Sequence, residues 1–138
     1  MYNRLRAMTQ GIYIQVPFCQ TKCTYCNFHT GVASRERYLP YAEAVCREIE
    51  TYGSLNNHHN SVGFADEIRP VASPRPLTVD TVYFGGGTPS LLDATLLRKI
   101  LDSLYRNFSS ESMEVTLEAD PETITAEKAS AWRGLPLD

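Results

Sequence analysis

The sequence predicts an α/β fold of parallel strands joined by helices, and three observations predict it. Apolar residues alternate over two short stretches and run almost unbroken over a third. Longer stretches between them repeat apolar side chains at helical spacing. The elements follow one another as strand, helix, strand, helix, strand, helix. Connections of that length imply right-handed crossovers between parallel strands. The 138 residues hold about three such units, whereas a closed eightfold barrel takes roughly 250 residues. Residues 1–138 are therefore expected to form the N-terminal part of a larger barrel core, or a truncated product of one.

Taken in order, residues 11–16 place Ile12, Ile14 and Val16 on one parity and Tyr13 and Gln15 on the other, as a short strand does. A cysteine-rich loop follows. Tyr38, Tyr41, Ala42, Val45, Ile49 and Tyr52 recur at helical spacing and predict a helix over 38–52. Residues 53–78, rich in Asn, Ser, Pro and Gly, are expected to form a polar surface insertion. "VDTVYF" at 79–84 is a nearly continuous apolar strand closed by Gly85, Gly86 and Gly87. Leu96, Leu97, Ile100, Leu101, Leu104 and Phe108 predict a helix over about 93–108. "MEVTLEA" at 113–119 alternates, with Met113, Val115, Leu117 and Ala119 on one face. Thr125 is placed to cap a last helix that carries Trp132 into the core. No internal repeat or low-complexity segment alters this reading.

Composition narrows the function classes. A chain that is 43% hydrophobic and 21% charged suits one soluble globular domain. Its net charge of -3 and pI near 5.6 lack the basic footprint of a nucleic-acid or anionic-membrane binder. No apolar run is long enough for a signal peptide or a transmembrane segment, so a reducing cytoplasmic location is expected. In that compartment clustered thiols point to metal before disulfide.

Three of the four cysteines fall in "FCQTKCTYCNF", at Cys19, Cys23 and Cys26, spaced C-x3-C-x2-C. A cubane iron–sulfur cluster has four irons, so three thiolates leave one iron open to a small molecule. Pro17, Phe18, Tyr25 and Phe28 would shield such a cluster from solvent. The same cysteines with His29 form C-x3-C-x2-C-x2-H, which could instead close a structural zinc site. Cys46 falls beside Ala42 and Ile49 and reads as a buried, inert hydrophobe. His58 and His59 sit in the polar segment and read as solvated. Glu118 lies within a strand, whereas Asp120 and Glu122 flank Pro121 in a turn. If the apolar strand faces pack on helices, Tyr13, Gln15 and Glu118 point into the barrel, near the strand ends where a polar cofactor would sit.

"YIQVPFCQTKCTYCNF" resembles the signature of the radical S-adenosylmethionine (SAM) superfamily, in the branch of oxygen-independent coproporphyrinogen III oxidases and related heme chaperones. "VYFGGGTPSLL" at 82–92 and "EVTLEADPET" at 114–123 resemble that branch's next two motifs, in order, so the likeness runs from about Gly11 to Trp132. The resemblance implies a partial TIM-like (β/α) radical SAM barrel. It implies Cys19, Cys23 and Cys26 as ligands of a [4Fe-4S] cluster whose open iron chelates SAM, which one electron cleaves to methionine and a 5'-deoxyadenosyl radical. It further implies SAM contacts from Tyr13, Tyr25, Gly86, Gly87 and Thr88, with Glu118 at the ribose. Oxidases of the branch typically carry another cysteine two positions after the third ligand, where this chain has Phe28. "CTYCNF" is similar to the heme chaperone group, which binds heme and hands it to acceptor proteins. Heme or a porphyrinogen, an electron donor and a heme-accepting protein are the partners this implies. A decarboxylating oxidase, or an inactive fragment, is the alternative. Members usually have His where this chain has Gln15, which keeps a hydrogen-bonding tip but does not titrate near neutrality.

Overall fold

Strand parity decides the architecture. In β1 (Gln10–Val16), Ile14 and Val16 are buried while Tyr13 and Gln15 are exposed. The structure, a computed structural model, describes residues 10–21, 23–27, 29–59, 77–110 and 112–137, excepting the side chains of 56–59. After β1 come β2 (Phe18–Cys19), β3 (Gly31–Val32), α1 (Tyr38–His59), β4 (Val79–Gly86), α2 (Ala94–Asn107), β5 (Glu114–Leu117) and α3 (Ala126–Trp132). The main sheet is parallel, in the order β1-β4-β5. A mixed helix and parallel-strand chain of this kind is the predicted α/β class.

Register aligns side chains into rows across the strands. Ile12, Val82 and Val115 form one apolar row, and Ile14, Phe84 and Leu117 the next. Against them α1 presents Tyr38, Ala42, Cys46 and Ile49, and α2 presents Leu96, Leu97, Ile100, Leu101 and Leu104, all buried. Removing that apolar surface from water is the dominant favourable term. Asp93 starts α2 as its N-cap, Oδ1 accepting from the Leu96 N–H at 2.9 Å. Thr125 does the same for α3 through the Lys128 N–H. Trp132 is half-buried against the core, 6.0 Å from the Lys128 ammonium. No helix among the described residues is long and apolar enough to cross a membrane.

The opposite rows run Gly11, Thr81, Glu114 and Tyr13, Tyr83, Thr116. Here Thr81, Tyr83, Tyr13 and Gln15 are exposed. The strand expected over 79–84 from a nearly continuous apolar pattern is present, but β4 buries Val82 and Phe84 and exposes Thr81 and Tyr83, so it is covered on one face. The described helices lie over only one face of the sheet, so a tyrosine and a threonine suffice on the other. Helix α1 also continues to His59 instead of ending at Tyr52, so helix occupies the start of the expected 53–78 insertion. "GSLNNHH" contains no proline, and extending an existing helix costs far less than nucleating one. Residues 60–76 and the side chains of His58 and His59 lie outside the described residues. Cys46 is 8% exposed, its thiol directed at the Lys99 carbonyl, and burial pushes its pKa up.

Candidate functional site

The site begins where β1 ends. Proline cannot donate to a strand ladder, and the chain breaks at Pro17, whose carbonyl accepts from the Gly31 N–H at 2.9 Å. Phe18 then pairs with Gly31 and Cys19 with Val32. This two-residue parallel pair closes the loop that carries Cys23 and Cys26. Phe18 anchors it, stacking on Tyr38 at 4.7 Å and meeting Tyr41 edge-on at 5.1 Å. Within the loop the Cys26 N–H donates to the Cys23 carbonyl, and Cys26 Sγ lies 3.8 Å from Thr30 Oγ1. Cys19 and Cys26 are half-buried, Cys23 is exposed, and all are free thiols. Tyr25, 84% exposed, has its phenol pKa raised by a hydrogen bond with Cys23 and by the charge of that sulfur.

The glycine run ending β4 packs directly on this loop. The Gly87 N–H donates to the Val16 carbonyl at 2.7 Å and the Thr88 N–H to the Phe18 carbonyl at 2.6 Å. A Cβ on Gly87 would overlap the Phe18 carbonyl oxygen and stand 2.9 Å from Cys19 Sγ. Gly86 has φ +112°, a conformation that L side chains rarely adopt. The glycine loop and the first cysteine therefore approach at a distance that only glycine permits.

Glu118 reaches the same region from β5. Its N–H donates to the Phe84 carbonyl at 3.0 Å, extending the ladder one step beyond the strand. Its carboxylate accepts from the Tyr83 hydroxyl at 2.8 Å, which raises the Tyr83 pKa. Tyr83 in turn stacks on Tyr13, centroids 5.9 Å apart. Gly87, Thr88, Pro89, Glu118, Ala119 and Asp120 line one cavity of about 340 Å³. A larger cavity of about 530 Å³ lies between β1 and α1, lined by Tyr41, Val45, Tyr52 and Phe108 among others, and includes none of the cysteines or of the glycine loop. A third cavity, of about 470 Å³, is lined by Cys19, Tyr38, Thr123 and Lys128 among others. The 340 Å³ cavity is the candidate site because it brings the glycine loop, through Gly87 and Thr88, to Glu118.

The structure thus joins Gly87, Thr88 and Glu118 at one cavity, links Cys19 to its wall, and sets Tyr13 on the same sheet face through Tyr83. It does not gather Cys23, Cys26 and Tyr25 there. Among the described residues no three His, Cys, Asp or Glu side chains lie together so as to hold a metal ion, with or without the exposed His29. The donor set nevertheless fits an iron–sulfur cluster. It offers three free, soft sulfur ligands in one loop closed by strand pairing, and metal binding itself draws deprotonated thiols together. Phe28 lies outside the described residues. Asp120 and Glu122 occupy a turn, Asp120 Oδ1 accepting from the Glu122 N–H at 3.0 Å.

Sequence reasoning missed Tyr83, Ser90 and Thr123. Tyr83 shares the parity of Thr81, which marks the exposed face once β4 is known to be covered on one side. Ser90 and Thr123 are short polar residues buried in turns, and only the distance between those turns reveals them.

No family model matches the sequence. Heme chaperone HemW from Buchnera aphidicola is 32% identical over 83% of this chain and 26% of its own length. Anaerobilin synthase from Escherichia coli O157:H7 is 31% identical over 87% of this chain and 24% of its own. Among solved structures, coproporphyrinogen III oxidase (HemN) from Escherichia coli, a radical SAM enzyme, superposes with a TM-score of 0.69, covering 90% of this chain and 25% of that one at 22% identity. The chain spans about a quarter of the length of these proteins. Shared sequence over most of its length leads to one conclusion: the chain belongs to the radical SAM superfamily, with relatives named heme chaperone HemW and radical S-adenosyl methionine domain-containing protein, and the structural match shows that it shares the fold of coproporphyrinogen III oxidase.

Proposed function

We propose that this chain forms the cluster and SAM end of a cytoplasmic heme chaperone, with Cys19, Cys23 and Cys26 as the thiolate ligands of a [4Fe-4S] cluster. One observation carries the reading: Gly87 packs on Cys19 with no room for a Cβ, and the same Gly87 lines the cavity that holds Glu118. A cluster ligand and a polar small-molecule pocket thereby share a wall. When bound, the cluster supplies an iron free to chelate SAM and an electron to break its sulfonium bond.

The chain's own residues then have distinct tasks. Gly86, Gly87 and Thr88 let backbone approach the methionyl part of SAM. Tyr83 fixes one oxygen of Glu118, leaving the carboxylate's remaining lone pairs to accept from ribose hydroxyls. Tyr13, stacked on Tyr83, and Tyr25, beside Cys23, complete the contacts. An external electron donor would be needed to reduce a cluster held by Cys19, Cys23 and Cys26, and the parent protein would hand heme to an acceptor protein. The relatives' names support chaperone over oxidase, as does Phe28 in place of the additional cysteine.

The test uses the full-length protein containing this segment. Hemin titration followed by Soret absorption should show saturable binding. Incubation with coproporphyrinogen III, SAM and reductant should release no carbon dioxide. Decarboxylation with Phe28 in place would replace the chaperone reading with that of an oxidase.

A further inference from the structure

The two walls of the SAM cavity come from loops after adjacent parallel strands. Ladder pairing between those strands ends at Phe84 and Leu117, with one further bond from Glu118. Beyond that point the spacing of Thr88 from Glu118 and Asp120 needs another constraint, and two buried hydroxyls supply it. Ser90 is fully buried and Thr123 is 6% exposed. Their hydroxyl oxygens lie 2.5 Å apart, although one follows β4 and the other β5.

The direction of each bond follows from one proton per hydroxyl. Thr123 Oγ1 donates to the Asp120 carbonyl at 2.8 Å, so its single proton is committed. Ser90 must therefore donate to Thr123 Oγ1. Ser90 Oγ, its proton spent, accepts from the Asp120 N–H at 3.1 Å. The bonds close a ring that runs from the Asp120 N–H to Ser90, to Thr123 and back to the Asp120 carbonyl. Each bond polarises the next in the same sense, the arrangement in which hydrogen bonds strengthen one another. The Lys128 ammonium adds a brace from α3, donating to the Ser90 carbonyl at 2.5 Å.

Resting on the functional reading above, we propose that Ser90 and Thr123 are positioning residues that hold the Asp120 peptide against the glycine loop and so set the width of the SAM pocket. Neither side chain lines that pocket, whose walls are Gly87, Thr88, Pro89, Glu118, Ala119 and Asp120. Both act through Asp120.

The test compares the reconstituted chain with its Ser90→Ala, Thr123→Val, doubly substituted and Thr123→Ser variants. SAM affinity is measured by equilibrium dialysis at matched iron content, and amide exchange at Asp120 by NMR on the ligand-free chain. Ser90→Ala and Thr123→Val should each weaken SAM binding about three- to tenfold, the cost of one lost hydrogen bond, and speed exchange at Asp120. The double variant should be little worse than either single one, because the ring acts as a unit. Thr123→Ser keeps the hydroxyl and should restore both readouts. Lower thermal stability with SAM affinity and Asp120 exchange unchanged would reduce the pair to ordinary core packing and overturn the proposal. Absence of SAM binding by the unsubstituted chain would remove the functional reading itself, and the positioning role with it. Binding that persists unchanged in Ser90→Ala would remove the ring's role alone.

Discussion

Replacing Gly87 with Ala probes the contact on which the site depends. The new methyl would overlap the Phe18 carbonyl oxygen, a backbone atom that no side-chain rotation can clear, and would stand 2.9 Å from Cys19 Sγ. Ordinary van der Waals contact begins at 3.4 Å, so the sulfur must retreat by about 0.5 Å, the limit within which designed metal sites retain function. Overpacking of this kind costs about 1–3 kcal/mol. Stretching the Gly87-to-Val16 and Thr88-to-Phe18 bonds adds about 0.5–1.5 kcal/mol for each one broken. The overpacking alone should lower the melting temperature by roughly 4–12 °C. Iron and sulfide retained after anaerobic reconstitution, measured on folded protein, should fall several-fold. Gly31→Ala is the control, because a Cβ there meets nothing within 4 Å although Gly31 pairs with Phe18 in the same loop. Full cluster content in Gly87→Ala, or equal loss in Gly31→Ala, would refute the claim that the glycine loop positions Cys19.

Other expectations concern single groups. Ala at any one of Cys19, Cys23 or Cys26 should abolish cluster assembly as judged by iron analysis, whereas Cys46→Ala should leave it intact at a cost of about 1 kcal/mol in urea unfolding. Glu118→Gln should weaken SAM binding with the cluster retained, and ring-resolved NMR titration should show the Tyr83 pKa falling back toward its ordinary value, because the carboxylate that raises it is gone. Stability should decline as pH rises above about 10. Burial keeps Tyr41 protonated in the folded state beyond the pH at which the unfolded chain ionises, so the unfolded state releases its proton first and is favoured. Tyr41→Phe should flatten that decline in urea unfolding from pH 8 to 11, while costing about 0.5–1.5 kcal/mol at neutral pH through the lost bond to the Gln15 carbonyl.

Much of the fold was legible because its signals are periodic. Every apolar position that predicted the second helix, from Leu96 to Phe108, is buried, and Thr125 caps the last helix as its position suggested. Parity alone put Tyr13 and Gln15 on the side of β1 opposite Ile14 and Val16, which are buried. What escaped lacks a period. The pairing of Phe18–Cys19 with Gly31–Val32 is too short to leave an alternation, although it closes the cysteine loop. The exposed face of β4 depends on what covers the sheet, which lies outside the local pattern. The steric role of Gly87 and the ring through Ser90, Thr123 and Asp120 depend on distances between residues far apart in sequence. The glycine run and the turn after β5 could be flagged from the sequence, but not their contacts.

The most direct measurement is anaerobic reconstitution of the purified chain with iron and sulfide, followed by metal analysis and electron paramagnetic resonance of the reduced protein before and after SAM. The expected result is about four irons per chain, set by one cubane cluster, with a spectrum that changes when SAM is added. A single tightly bound zinc, or a folded chain that assembles no cluster, would contradict the assignment of Cys19, Cys23 and Cys26 as the ligands of an open-iron site.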